Sequence, residues 1–471
     1  MPKFTVVSRY KWKCAAVIFG ALTLLSGCAG QAMTNTPELK GITGSEPYLL
    51  TGGKGMEALK PTDADYKVDD YEQWNQLLKE NEISGSFKVA LNQFAFQSGS
   101  QMLADSEGNV NFSPLSLYYA MALAGCGAEG DTAKEITDIL GIQDQGQLAD
   151  ECKKLYQSFY YSTMWEKARN EAYGEGEFDS TIQLGNSLWV SDQLSVKEEF
   201  EQTAALQFFA SSYQVDFTGE EAGKQIGSWI AEQTKGVLKP EIKLPEETMM
   251  TIINTLYFYG GWRDTFSAAE TADDSFTKAD GSRVTVPFMN RVNSMGSFRT
   301  GEGYTVSSLS TDNSCSMVFL LPDEGRSVDD FLSQPEQLQA ALAGDEDQWQ
   351  NGEVTWKVPK FSFGSSFKLA DLLKSLGVEK MFIPEVADFS GISELPLYVD
   401  EVIQETHIGI DEDGVEGAAY TMIIMEGGAA MPDDKKQVDM ILDRPFIYGI
   451  QDDDTGTWLF LGVCRDPSIV D

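Results

Sequence analysis

Apolar positions along this chain keep helical spacing in its first half and change to strand-like spacing in its second. Phe87, Leu91 and Phe94 share one helical face, and the next segment opens with Ser113 as an N-cap and Pro114 at the first helical position. That helix is expected to stop at Gly125. Thr132 and Glu135 then match a capping box ahead of Ile136, Ile139 and Leu140, with Gly141 as the stop. Further on, Ile226, Trp229 and Ile230 define a helical face that ends at Gly236. Strand signals follow. Residues 317–321 are wholly apolar and halted by Pro322, while Val354, Trp356 and Val358 alternate with polar neighbours until Pro359. Residues 399–410 read as one long strand, and 446–450 with 458–463 form a hairpin through Asp453-Asp454-Thr455-Gly456. Helices mostly first and strands mostly later predict an α+β architecture rather than a regularly alternating parallel one.

Residues 410–431 follow two patterns at once. Val415, Gly417, Ala419, Thr421, Ile423 and Met425, taken at alternate positions, are small or apolar, whereas the other parity carries Glu416, Tyr420 and Glu426. This is the period of a half-buried strand. Gly and Ala are poor strand formers, however, and Gly427 with Gly428 closes the stretch, so an extended, solvated loop is equally accessible. The segment is expected to have two states.

At the other end, Lys3, Arg9, Lys11 and Lys13 precede an apolar run over 15–25 that is too short to span a bilayer as a lone helix. Leu25-Ser26-Gly27-Cys28 follows, and the whole resembles a bacterial lipoprotein signal with its lipobox. The resemblance implies cleavage before Cys28 and lipid on its thiol, which would hold the protein at a membrane surface of the cell envelope. The stretch after Cys28 is rich in Gly, Thr and Pro without apolar periodicity. The expected plan is a signal peptide over 1–27, a lipidated cysteine with flexible tether over 28–83, and one folded domain over 84–471.

Composition narrows the chemistry. With 73 acidic residues against 35 lysines and arginines, the formal net charge of −38 excludes nucleic acid as a partner, since phosphate backbones need clustered cations. Cys126, Cys152, Cys315 and Cys464 are widely separated without a Cys-x-x-Cys pair, which argues against zinc and leaves their pairing open. Cys126, set among small residues, reads as a single buried thiol. The chain has one histidine, His407, on which any histidine-activated nucleophile would depend, and it lacks a Gly-x-Ser-x-Gly elbow. Asp411-Glu412-Asp413-Gly414 fails as a calcium loop because Gly409 stands where an acid is required. With neither a phosphate-cradling glycine loop nor a metal-spaced histidine cluster, no cofactor or metal is expected and a non-enzymatic role is favoured.

Several segments, in this order, resemble the serpin family of protease inhibitors. They are Asn111-Phe112-Ser113-Pro114-Leu115-Ser116, Ala128-Glu129-Gly130-Asp131-Thr132, the run 253–262 ending in Gly260-Gly261-Trp262, Val358-Pro359-Lys360-Phe361, Ala387-Asp388-Phe389-Ser390-Gly391 and Arg444-Pro445-Phe446. The resemblance implies a serpin fold: mixed sheets, a helical N-terminal half, and an exposed reactive-centre loop, about 414–439, that can insert into the large central sheet. It assigns the hinge to Gly414, Val415, Glu416, Gly417, Ala418, Ala419, Tyr420 and Thr421, and the reactive bond to Gly428-Ala429, with Ala429-Ala430 and Met425-Glu426 as alternative registers. Ser113, Ser116 and Asn254 correspond to the family's shutter, where Gln404 replaces a histidine common in other members, and Trp262 corresponds to the breach. The implied activity is suicide inhibition of a serine protease, elastase-like or subtilisin-like, or of a papain-like cysteine protease, by a monomer. A serpin that has lost inhibition and serves as a binding module is the alternative.

Overall fold

In the computed structural model, residues 71–173, 179–344, 348–415 and 436–469 are described. Helices α1 (Tyr71–Glu80), α2 (Gly85–Ala104), α3 (Pro114–Cys126), α4 (Gly130–Leu140) and α5 (Gln145–Tyr173) lead the chain. Helices α6 (Glu198–Gln207), α7 (Glu220–Gln233), α8 (Asp329–Leu332), α9 (Pro335–Ala343) and α10 (Ala370–Ser375) are spread among the strands. Strands β1 (Val110–Phe112), β2 (Thr181–Ser191), β3 (Ala210–Val215), β4 (Met250–Gly261), β5 (Ala272–Thr277), β6 (Arg283–Gly301), β7 (Tyr304–Ser310) and β8 (Cys315–Pro322) come first. They are followed by β9 (Gln350–Pro359), β10 (Phe361–Lys368), β11 (Ile403–Ile410), β12 (Gly414–Val415), β13 (Gln437–Ile441), β14 (Phe446–Asp452) and β15 (Thr457–Cys464).

Local signals account for many of these boundaries. Ser113 caps α3, its hydroxyl accepting from Ser116 N, with Pro114 in the first turn; the C-cap is Gly127, two residues beyond the expected stop. Because α3 is apolar almost all round, it can be covered on every side, and it lies buried where β4 and β15 both reach it. Gly141 ends α4 in the left-handed conformation, φ 72°.

Three expectations need correction. Helix α1 falls inside the stretch assigned to a tether over 28–83; Trp74 is buried there and meets Trp165 of α5 edge-on, with ring centroids 5.1 Å apart. The capping box at Thr132 and Glu135 does not form, since α4 already begins at Gly130 after Glu129. Tertiary partners take both side chains: Thr132 Oγ1 accepts from Asp388 N at 3.0 Å, and Glu135 Oε2 from Glu379 N and Lys380 N at 2.9 and 2.8 Å. Strand β11 starts at Ile403 rather than 399, because Val399 N bonds to Met381 O at 2.8 Å and Val402 O receives Leu369 N at 2.7 Å. The free thiols Cys152, Cys315 and Cys464 are buried and Cys126 is half-buried; burial pushes Cys126 up to about 12.

The strands make two sheets. One has six strands in the order β10-β11-β12-β4-β2-β3; the other has nine, in the order β1-β15-β14-β8-β7-β6-β9-β13 with β5 on β6. Helix α7 lies on the six-stranded sheet, its Ile226, Trp229 and Ile230 packed with Trp189, Val215 and Phe217. The chain returning from α7 to β4 runs close against the helix. A Cβ at Gly223 would overlap Ile242 O, and one at Gly227 would stand 2.7 Å from Pro240 O. Gly223→Ala should therefore destabilise the protein by about 1–3 kcal/mol in urea unfolding. Gly85→Ala, where an added Cβ meets nothing within 4 Å, should be neutral or stabilising in the same measurement.

Candidate functional site

The middle of the six-stranded sheet is incompletely closed. Strand β12 pairs antiparallel with both neighbours, Ile410↔Val415 on one side and Gly414↔Gly261 with Val415↔Gly260 on the other, so β4 and β11 run parallel to each other. Past Val415, among the described residues, no ladder joins them. The gap is a cleft lined by Leu256, Tyr257, Phe258, Thr406, Ile408 and Val415, with Thr234, Val237 and Leu238 closing over it from the α7 side. Backbone groups on strand edges normally find partners, so two interior strands that face each other without a ladder among the described residues are placed to accept one more strand.

Glycine makes the mouth of this slot passable. A Cβ at Gly414 would lie 2.5 Å from Gly260 O, and one at Gly260 would lie 2.8 Å from Thr311 Cβ. The acidic turn before Gly414 is held from several sides. Trp262, at the end of β4, donates its ring Nε1 to Asp411 O at 2.8 Å and its backbone N to Asp413 O at 2.9 Å. Its ring is buried against Phe266, whose backbone N donates to Glu412 O at 3.0 Å. Glu412 accepts from Thr271 Oγ1 at 2.8 Å and from Lys360 Nζ at 2.5 Å. Partial burial opposes its ionisation, but these donors prevail and hold the carboxyl below its ordinary range.

Val415, on the parity expected to face inward, is wholly buried. The remaining hinge positions Glu416, Gly417, Ala418, Ala419, Tyr420 and Thr421 lie outside the described residues, as do Gly428, Ala429 and Cys28.

Of the four residues grouped as a shutter, the structure brings three together. Gln404 is buried and binds the backbone of Ser113 twice, Oε1 accepting from Ser113 N at 3.0 Å and Nε2 donating to Ser113 O at 2.9 Å. Ser113 Oγ donates to Leu459 O at 2.9 Å while receiving Ser116 N at 3.2 Å, so the backbone and side chain of Ser113 together tie α3, β11 and β15. Asn254 goes elsewhere. Its Nδ2 donates to Asn186 Oδ1 at 2.6 Å, and Asn186 Nδ2 in turn donates to Phe208 O at 2.7 Å. Asn254 Oδ1 is buried without a hydrogen-bond partner among the described residues. Sequence reading missed Asn186, and it missed Asn111, whose Nδ2 donates to His407 O at 3.2 Å and whose carbonyl accepts from Thr406 Oγ1 at 2.6 Å. The Asn-Phe-Ser-Pro run contained the second signal, but β2 offered none for the first. The ring Nε2 of His407 lies 3.2 Å from Ser362 Oγ, a cross-strand hydrogen bond on β10 and β11.

Comparison with known proteins places this geometry. The family model described as Serpin (serine protease inhibitor) matches residues 89–467. A serpin-like protein of Thermococcus kodakarensis is 30% identical over 384 residues, covering 80% of this chain and 85% of its own length. Among solved structures, the thermophilic serpin tengpin in its native state superposes with a TM-score of 0.68 at 26% identity, covering 82% of this chain and 95% of tengpin. Thyroxine-binding globulin in complex with thyroxine reaches 0.64 at 24% identity over 81% of this chain and 99% of its own, a likeness of fold alone.

Gln404 supplies both partners to buried backbone groups, so Gln404→Ala strands a donor and an acceptor. A loss of about 2–4 kcal/mol in urea unfolding is expected, with Gln404→Glu recovering less than half because it cannot donate to Ser113 O when ionised.

Proposed function

Since the chain belongs to the serpin family, a family of protease inhibitors rather than enzymes, we propose that it is an irreversible suicide inhibitor of a serine protease. Its bait, small residues around Gly428-Ala429, suits an elastase-like or subtilisin-like enzyme or a papain-like cysteine protease, and lipid on Cys28 would display it, as a monomer, on the cell envelope. The protease supplies the nucleophile and is acylated when the bond is cut. The inhibitor supplies the bond and a vacancy for the released strand, so that insertion carries the acyl-enzyme away before water completes turnover. The active form is held by a kinetic barrier, since the loop-inserted form is the more stable one.

One observation carries this reading: Gly414 and Val415 already lie between β4 and β11, with the unpaired slot continuing beyond them. Continued residue for residue, the β12 register sets Ala419 between Leu256 and Thr406, and Thr421 between Asn254 and Gln404. Both loop residues are on the parity of Val415, and Thr421 would bring a hydroxyl to the level at which Asn254 Oδ1 lacks a donor.

Incubation with a panel of proteases should yield a complex that survives denaturation, and the released C-terminal peptide should begin at Ala429. Ala419→Arg, which would bury an unpaired charge on insertion, should abolish the complex while loop cleavage continues. Clean cleavage of the wild-type protein without any complex would overturn the proposal.

A second reading, a serpin-fold binding module without inhibition, has behind it the fold shared with thyroxine-binding globulin. Melting before and after a single loop cut separates the two. Inhibition predicts a large upward shift in Tm as the strand enters, whereas a binding module predicts little change.

A further inference from the structure

The mouth of the slot is backed by two buried carboxyls that the inhibitory mechanism does not use. Asp452, at the end of β14, is 1% exposed, and its Oδ2 accepts from Thr455 N at 2.9 Å and Thr455 Oγ1 at 2.5 Å. It has no ion pair among the described residues. Glu166, late in α5, is 7% exposed and pairs with Arg169 at 2.7 Å. A carboxylate removed from water and satisfied by hydroxyl and amide alone is poorly solvated, and protonation is its cheapest relief.

Backbone pairing and hydrogen bonds connect Asp452 to the mouth, while Glu166 lies within electrostatic reach of Arg263 and Asp312 beside it. Asp452 pairs with Cys315 in the β14–β8 register, and Cys315 O receives Thr311 N at 2.8 Å and Thr311 Oγ1 at 2.9 Å. Thr311 bridges to Trp262. The next residue, Asp312, donates its N to Gly261 O at 2.9 Å, and its Oδ1 accepts from Ser180 Oγ at 2.5 Å. Ser180 Oγ also receives Gly261 N at 3.0 Å, and Gly261 is the partner of Gly414. The turn that leans on Asp452 thus holds the strand end against which β12 is laid.

We propose that Asp452 and Glu166 form a proton-operated latch on the mouth of the slot, one that tightens its grip on Gly414 and Val415 as the pH falls and loosens it as the pH rises. Burial pushes Asp452 up to about 7 and raises Glu166, against the opposing pull of Arg169 and Arg263. A carboxyl whose pKa is higher folded than unfolded adds stability as the pH drops through the folded value of about 7, and the gain is complete only below the ordinary value of 3.8, so the span from about pH 8 to about pH 6 covers its onset. The elements packed here contribute charge: Lys88 from α2, Arg263 after β4, Asp312 before β8, and Asp453 with Asp454 beyond β14, while burial keeps the Cys315 thiol neutral. From the hinge side come Asp411, Glu412 and Asp413 with Lys360. Asp453, pushed up to about 6 by burial of its carboxyl, titrates in the same range, but it and Asp454 are exposed residues, so screening limits their share.

The bearing of this latch on inhibition rests on the loop-insertion reading, whereas its test needs no protease and can fail independently. Native-state hydrogen exchange at the amides of Gly261 and Trp262, corrected for the chemical exchange rate, reports opening of the mouth. Protection in the wild-type protein should rise about tenfold from pH 8 to pH 6, equivalent to roughly one pKa unit of linkage. Asp452→Asn combined with Glu166→Gln should show the high protection already at pH 8 and only the small rise left by Asp453, less than about twofold. Asp371→Asn, which removes an exposed carboxylate elsewhere, should keep the wild-type rise. Protection independent of pH in the wild-type protein, a wild-type rise persisting in the double variant, or loss of the rise in Asp371→Asn would each overturn the proposal.

Discussion

Two parallel strands at the centre of a sheet, each paired on its outer edge and neither paired to the other, set the terms for the structure around them. Strand β4 is bonded to β2 and β11 to β10, so the outer edge of each is held while its inner edge has no ladder among the described residues beyond Val415. Such an opening does not persist in a fluid core; the body must be packed firmly enough to resist collapse into it. The apolar helix α3 does this from beneath by reaching both sheets, and α7 with the chain crossing Gly223 and Gly227 covers the outer face. Each of these contacts stabilises the body without pairing the two inner edges.

Holding a slot open differs from letting a strand enter it, and the residues at the mouth separate the two tasks. The turn 411–413 is fixed by Trp262, Phe266, Thr271 and Lys360, whereas Gly414 beyond it lies so close to β4 that an added Cβ would stand 2.5 Å from Gly260 O. Rigid anchoring just outside the sheet and minimal bulk just inside it define where a strand begins without deciding how far it goes. The alternating small residues after Val415 leave that decision to chemistry elsewhere in the chain.

What could be read in advance follows the range of the interactions involved. Ser113 before Pro114, Gly141 after Leu140, the apolar run before Pro322 and the hairpin through Gly456 are decided within a few residues, and each appears in the structure where its chemistry requires. Thr132 and Glu135 have the right spacing for a capping box and yet serve a segment some 250 positions later, which no local pattern encodes. Asn254 illustrates the same limit. Its spacing and family resemblance point to Ser113, but Asn186, directly opposite on β2, takes its amide first. Helix α1 was hidden by the Gly-rich and Pro-rich stretch before it, and only the burial of Trp74 against Trp165 explains why a short helix stands there.

Gln404 and the mouth carboxyls together give the slot an asymmetry. Near the foot of β11, a neutral amide binds Ser113 through two hydrogen bonds and carries no charge at any pH. At the mouth, the holding groups are titratable carboxyls: Glu412 against Lys360, Asp312 against Ser180, Asp452 against Thr455. Amide hydrogen bonds are nearly indifferent to salt and protons, whereas partly buried ions respond to both. Solution conditions can therefore alter the grip at the mouth while the foot stays fixed. On the loop-insertion reading proposed above, a strand would enter beside Gly414, where β12 already lies, so its entry would start at the responsive end.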